Sequence, residues 1–300
     1  HYQNLTESEN TRVKSIMFDV TATAYNISDE IFTDKSLQPF LSTRYSNNET
    51  AYDSCRIYHE RLRDYITRNT FISSIDLYTT NPTLISYSSI KPVTQEIRAS
   101  DWYAEASKQI DCKWKSLPSA DSWGNTAYEL CLIRRIPVIS TNEYAVLVIK
   151  INNNYLKNRI QNNSLSNTVA VNQEPAFFST IRNQSGELLP FALDYTKQIY
   201  QFSGPLSYAE KKTIAHISTL HPYSSKDKIY IVSMDFNAIP ETSGIILLFI
   251  TIILIGSFIP FSVFIIFTQR FSARIITLRG EMHKAGAGNY NIIDNFKGND

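Results

Sequence analysis

The chain has 300 residues, with 29 Lys and Arg against 28 Asp and Glu, for a formal charge of +1. No basic stripe or acidic tail accompanies that balance, so the charge gives no reason to expect nucleic acid as a partner. About 240 residues precede one long apolar run, enough for a hydrophobic core in one domain or two lobes.

Residues 1–70 read as helical. From Val13 the apolar positions are Ile16, Met17, Val20, Ala24, Ile27 and Ile31, with polar residues between them. That spacing predicts one long helix starting near Gln3. A break is expected around Asp34 to Gln38, with Pro39 limiting further continuation. A second helix is predicted over Glu49 to Arg68, with the stripe Tyr52, Cys55, Tyr58, Leu62, Tyr65 and Ile66.

Residues 71–165 read as a lobe built on strands. Ile72 to Tyr78 and Leu84 to Ile90 alternate, and Asn81-Pro82 between them is turn chemistry, so a hairpin is expected. A short helix follows over S-D-W-Y-A-E-A-S-K, with Ser100 as N-cap and Asp101 in the first turn. Lys113 to Leu117, Ala127 to Ile139 and Glu143 to Ile151 read as strands, the last two joined tightly at Ser140-Thr141-Asn142. The expectation is about five antiparallel strands with long helices on one face, an α+β layer. A helix over Asn154 to Gln161 ends the lobe.

A smaller lobe, residues 166–242, is less clearly patterned. Strands are expected at Thr168–Asn172 and Ala176–Arg182, a turn at Ser185-Gly186, a helix near Tyr208–Ser218 and a last strand over Lys228 to Asp235. Eighteen Tyr and sixteen Phe are many for this length. They suit an extracellular binding surface and equally an ordinary half-exposed sheet.

Gly244 to Phe267 reads GIILLFITIILIGSFIPFSVFIIF, with no charge. As a helix it would reach roughly 36 Å, against a hydrocarbon core of about 30 Å. Pro260 inside it is tolerated in membrane helices. Arg270, Arg274, Arg279 and Lys284 follow closely, whereas Asp235 and Glu241 precede it. The positive-inside rule then places residues 268–300 in the cytoplasm and 1–242 outside. The chain starts at His1, so a signal peptide or a first membrane helix is expected upstream. Beyond the span, Phe271, Ile275, Leu278, Met282 and Ala285 are spaced 4, 3, 4 and 3 apart, a heptad seam suited to a parallel coiled coil. Gly288-Asn289-Tyr290 is expected to end that helix. A basic amphipathic helix lying on the bilayer is the simpler reading of the same stub.

The three cysteines, Cys55, Cys112 and Cys131, cannot all pair with one another. An exported domain permits a Cys112–Cys131 bridge, and three buried thiols are the alternative. No metal site is expected, since there is no CxxC and no His near a Cys pair. His59-Glu60 begins a zinc motif, but residue 63 is Arg, so the second ligand is missing. Gly286-Ala287-Gly288 follows a helix rather than a strand, so it does not read as a phosphate loop. No catalytic residues and no cofactor are expected within these residues.

The order of elements, together with Asp101-Trp102-Tyr103 at a helix start, resembles the double Cache (dCache) sensor domain of bacterial receptors: tandem PAS-like lobes behind a long N-terminal helix. The stub at 268–300 resembles the start of a HAMP relay domain. Lys297-Gly298-Asn299-Asp300 is similar to the stretch before that family's second helix. A Pro often found in HAMP domains is replaced here by Arg274, which favours sensor histidine kinases of the YesM type. That resemblance implies a homodimeric membrane receptor with a response regulator as its downstream partner. Its signal would come from a small extracellular ligand such as a carbohydrate, met directly or through a solute-binding protein. A chemotaxis receptor with the same sensor domain and a non-signalling surface module are the alternatives.

The resemblance also implies a ligand pocket in the first lobe, under the short helix. The candidate ligand residues are Arg98, Asp101, Trp102, Tyr103, Trp114, Trp123, Tyr128 and Arg134. Their rings would stack on a sugar or cover a cation, and their charges would meet hydroxyls or carboxylates. The amino-acid-binding subgroup carries an Arg two residues before the Trp-Tyr pair. Arg98 lies four before Trp102, a departure from that pattern. Phe271, Ile275, Leu278 and Met282 are the candidate relay residues.

Overall fold

A computed structural model of the chain describes residues 2–120, 126–139, 141–161, 164–181, 186–191, 193–208, 211–237 and 242–287. The chain forms two compact units, His1–Ile239 and Pro240–Asp300.

The first unit is α+β. Helix α1 (Tyr2–Thr33) is followed by α2 (Leu37–Ser42) and α3 (Asn48–Arg68). Asn47 caps α3, its side chain accepting the Thr50 amide at 2.9 Å. The expected break after α1 is short. Pro39 does not end a helix but sits third in α2, where an amide has no intrahelical acceptor to lose.

The first sheet contains β1 (Ile72–Thr79), β2 (Ile90–Pro92), β3 (Lys113–Ala120), β4 (Thr126–Pro137) and β5 (Tyr144–Ile151), with α4 (Gln95–Ala99) and α5 (Asp101–Ala106) between β2 and β3. Its order is β2-β1-β5-β4-β3. The expected hairpin at Asn81-Pro82 is absent. Residues 84–89 form no strand, and β2 pairs with β1 in parallel. The buried Asn81 side chain explains this. It donates to the carbonyls of Leu41 and Thr43 at 2.8 and 2.9 Å, so the turn is tied to α2 and its end. Leu84 is then buried in the helix-facing core instead of returning along β1. Of the tight connection after β4, Ser140 lies outside the described residues; β4 and β5 pair antiparallel as expected.

Helix α6 (Asn153–Ile160) leads to a second sheet of β6 (Ser166–Val171), β7 (Phe178–Ser179), β8 (Gln201–Tyr208), β9 (Lys211–Leu220) and β10 (Ile229–Asp235). Its order is β7-β6-β10-β9-β8. Counted within each lobe, both sheets therefore run 2-1-5-4-3. The helix expected near Tyr208–Ser218 is instead β9, hydrogen-bonded on both sides. Thr213, Ala215 and Ile217 lie on one face of it and His216 and Ser218 on the other. Both faces are covered, so no polar side reveals the two-residue period. Ser185, in the expected turn, is outside the described residues.

One face of each sheet packs on α1. Val13, Met17, Val20, Ala24, Ile27 and Ile31 share a core with Leu132, Leu147 and Ile149 of the first sheet and with Val169, Leu220 and Ile231 of the second. Cys55, Cys112 and Cys131 are all buried and free. Cys112 belongs to this helix-facing core and Cys131 to the core on the opposite face of the first sheet, so no bridge joins them.

The second unit holds α7 (Thr242–Gly286), 45 residues long with Pro260 inside it. It is long and apolar enough to cross a membrane. The seam residues Phe271, Ile275, Leu278 and Met282 lie on the same continuous helix and are exposed. Residues 288–300 are outside the described part.

Trp114 is fully buried in the helix-facing core. Trp114→Ala is expected to destabilise the first unit by about 3–5 kcal/mol. Urea denaturation followed by circular dichroism measures this, and a loss under about 1 kcal/mol would contradict the packing described.

Candidate functional site

The first sheet turns its other face toward α4 and α5. Strand alternation selects what appears there: Asp76 and Tyr78 from β1, Lys115 and Leu117 from β3, Cys131, Ile133 and Arg135 from β4, and Tyr144, Val146, Val148 and Lys150 from β5. Ile97 of α4 and Trp102, Tyr103 and Ala106 of α5 cover it. Thr94 caps α4 by accepting the Ile97 amide at 3.2 Å. Ser100 stands at the N-cap of α5 without a capping bond, because its hydroxyl donates back to the Ile97 carbonyl at 2.6 Å.

Four aromatic rings meet under this cover. Trp102 lies edge-on to Tyr78 at 5.4 Å and to Tyr103 at 5.6 Å, and Tyr103 is 6.2 Å from Tyr144. Two cations sit on the group, Lys91 at 5.6 Å from the Tyr78 centroid and Arg135 at 4.7 Å from that of Tyr144. The buried Asp76 carboxylate lies 2.9 Å from the Lys91 ammonium and 3.6 Å from that of Lys150. Glu105 on α5 holds Lys115 on β3 at 2.7 Å, pinning the helix over the sheet.

The Tyr103 hydroxyl and Arg135 Nε are buried, with no hydrogen-bond partner among the described residues. Burial, reinforced by the neighbouring Tyr144 phenol, pushes the Tyr103 pKa up, so the group is a neutral donor at every physiological pH. Burial, with the Asp76 charge beside it, raises Tyr78 to about 12. Burial also raises the Cys131 thiol, which makes it an inert filler rather than a nucleophile.

The sequence-derived candidates divide between the two faces. Trp102 and Tyr103 stand in the cluster. Arg98 and Asp101 are exposed, on the last turn of α4 and the first turn of α5. Trp114 and Tyr128 pack with the helix-facing core. Arg134 faces the helices too, 3.1 Å from Asp29 and stacked 4.2 Å from the Phe32 ring. Trp123 lies outside the described residues. Sequence reasoning passed over Asp76, Tyr78, Lys91, Arg135, Tyr144 and Lys150. Their signal was a charge or phenol within a strand, in phase with the residues that face α5.

No family model and no curated protein matches the chain. Solved structures do match. The extracellular domain ascribed to histidine kinase vpHK1S-Z8 superposes with a TM-score of 0.57 at 12% identity, over 79% of this chain and 95% of that one. The sensor domain of the histidine kinase DctB of V. cholerae gives 0.51 at 11% identity, over 77% and 96%. The ligand-binding domain of the Pseudomonas aeruginosa amino acid chemoreceptor PctC, solved with GABA, gives 0.54 at 11% identity, over 78% and 100%. The first unit therefore has the fold of Cache-like extracellular sensor domains, which serve histidine kinases and chemoreceptors alike.

Asp76→Asn removes the shared counter-charge of Lys91 and Lys150. Both lysines are partly exposed, so the expected cost is about 1–3 kcal/mol rather than that of a fully buried pair. Urea denaturation at low and high salt checks it; an unchanged midpoint at both would show that the trio contributes nothing.

Proposed function

We propose that this chain is the extracellular sensing and membrane-crossing part of a sensor histidine kinase of the YesM type. One observation carries the reading: a Cache-like sensor fold whose last strand, β10, is followed in sequence by a membrane-length helix. The positive flank Arg270, Arg274, Arg279 and Lys284 supports residues 268–300 being cytoplasmic and 1–242 extracellular. The seam Phe271, Ile275, Leu278 and Met282 supports a dimeric coiled-coil relay toward an output domain that acts on a response regulator.

The ligand is a small solute held between α5 and the first sheet. Trp102, Tyr103, Tyr78 and Tyr144 offer rings, and Arg135, Lys91, Lys150 and Asp76 offer charge. A carbohydrate uses ring faces and charged hydrogen-bonding groups together, and is either bound directly or delivered by a solute-binding protein. Asp76 and Arg135 on the same face also favour a second ligand class, a zwitterion. The PctC domain, of similar fold, was solved with a zwitterionic ligand, and this supports the chemoreceptor alternative equally. Binding shifts the receptor only by the ligand's differential affinity for its two states.

A thermal-shift screen of residues 1–242 against sugars, amino acids and organic acids tests direct binding. A solute that raises the melting temperature should lose its effect in Arg135→Gln and Tyr103→Phe; a shift unaltered in both variants removes the site from this face. Ile275→Asp with Leu278→Asp should abolish signalling in the full-length receptor while ligand binding persists. A retained response would discard the relay.

A further inference from the structure

Where α1 crosses the second sheet, its buried stripe changes character. Thr6, Glu9 and Asn10 are buried there, whereas from Val13 to Ile31 the stripe is mainly apolar. The sheet answers with polar residues on the same face: Asn167 of β6, His216 and Ser218 of β9 and Ser233 of β10. The Asn10 amide donates to the carbonyls of His216 and Ile231 at 3.0 and 2.9 Å, and its oxygen accepts the Ser218 hydroxyl. The Ser233 hydroxyl donates to Asn167 at 2.7 Å, and the Asn167 amide donates to Glu9 at 2.8 Å. Glu9 grips Arg12 at 2.6 Å, and Arg12 donates to the Arg159 and Ile160 carbonyls at 2.7 and 2.8 Å, at the end of α6. Apolar contacts have no fixed direction and tolerate sliding, but this set of bonds fits only one register of α1.

His216 is the exception within the set. Its side chain is buried, the residue being 3% exposed, and Nδ1 has no partner among the described residues. With Asn10, Ser218, Thr219, Glu7 and Lys14 it lines a cavity of about 90 Å³, room for roughly three waters by their share of liquid volume. Glu7 and Lys14 of α1 are the charged groups that act on it. Its cross-strand neighbours are uncharged, Ser203 on β8 and Ser233 on β10. β6 contributes Asn167. Glu9 is occupied by Arg12 and Asn167, and Asp235, two residues along β10 from Ser233, accepts the Asn237 amide at 2.9 Å. A neutral imidazole suits this environment. An imidazolium would be a buried charge with no hydrogen-bonded counter-ion.

We propose that His216 is a proton-binding site that latches α1 to the second sheet when neutral and releases it when protonated. Release exposes the ring to bulk water beyond that small cavity and breaks the Asn10 bonds to β9 and β10, the latter being the strand that precedes α7 in sequence. External acidity thereby becomes an input separate from any solute at the first sheet, and the latch stands whether or not that solute site exists. Burial lowers the His216 pKa below the ordinary 6.5, Lys14 adds to the effect, and Glu7 opposes it. The released state then binds the proton more readily. Latching is complete above about pH 6.5, weakens as pH falls through that value toward the lowered one, and levels off below it.

The test is hydrogen exchange by mass spectrometry on the whole chain in lipid nanodiscs, between pH 7.5 and 5, corrected for intrinsic rates. Acidification is expected to strip protection from residues 4–12 and 214–233, with a midpoint below 6.5. His216→Gln should abolish the step, whereas His59→Gln, which alters a partly buried imidazole on α3, should leave it intact. Lys14→Gln should move the midpoint up and Glu7→Gln should move it down; this pair decides the matter if His216→Gln does not fold. No step in the wild type, a step that survives His216→Gln, or a midpoint unmoved by both charge variants would overturn the proposal.

Discussion

A single helix covers one face of two sheets. Helix α1 is 32 residues long, so its axis spans roughly 48 Å, enough to cross both lobes. A sheet with one face open cannot bury enough apolar surface to be stable, and both sheets meet that need on α1, the first with α2 and α3 as well. Any change in one lobe that alters its fit to α1 is therefore felt at the other. The contact is not uniform along the helix. It is mainly apolar against the first sheet, where Arg134 alone bonds Ser28 and Asp29 among the described side chains, and densely hydrogen-bonded against the second, so the register of α1 is set more strongly at its N-terminal end.

The two-residue period of strands divides the first sheet into a structural face and a candidate ligand face. Arg134 and Arg135 show the division most clearly. They are adjacent in sequence, yet Arg134 joins Asp29 and Phe32 under the helices, while Arg135 lies over Tyr144 under α5. The face toward the helices is committed to packing, with Trp114 on the edge strand β3 fully buried in it. The face toward α5 mixes four rings with Asp76, Lys91, Lys150 and Arg135, and carries buried donors that the rest of the protein does not use. Buried polar groups without partners cost stability, and Tyr103 and Arg135 place two of them beside the rings and charges under α5, where a ligand could satisfy them.

Much of the fold was legible before the structure. The helix-spaced stripes of α1 and α3 and the β-branched runs of β1, β4, β5 and β10 each carry their period on the surface of the sequence. Strand β9 did not, because polar residues fall on both of its faces, Thr213 and Thr219 on one and His216 and Ser218 on the other, and mask the two-residue period. Strand β8 was hidden by Gly204 and Pro205, residues that strands tolerate mainly at edges. The parallel pairing of β2 was invisible because it depends on Asn81 reaching back to Leu41 and Thr43. Of the candidate site, the Trp102-Tyr103 pair was legible from its helix start. Asp76, Lys91 and Lys150 were not, since an isolated charge in a strand gives no sign of which partners stand across the sheet.

The sequence by itself determined the membrane-length apolar helix, the long N-terminal helix and the succession of strands, because hydropathy and residue spacing are local properties. Tertiary structure alone decided that the two sheets share the order 2-1-5-4-3, that Arg134 and Arg135 serve different faces, and that Asn10 meets Ser218 across 208 positions. Those outcomes depend on strand register and helix placement. A polar side chain matches a partner only once the whole backbone has fixed the distance and direction between them.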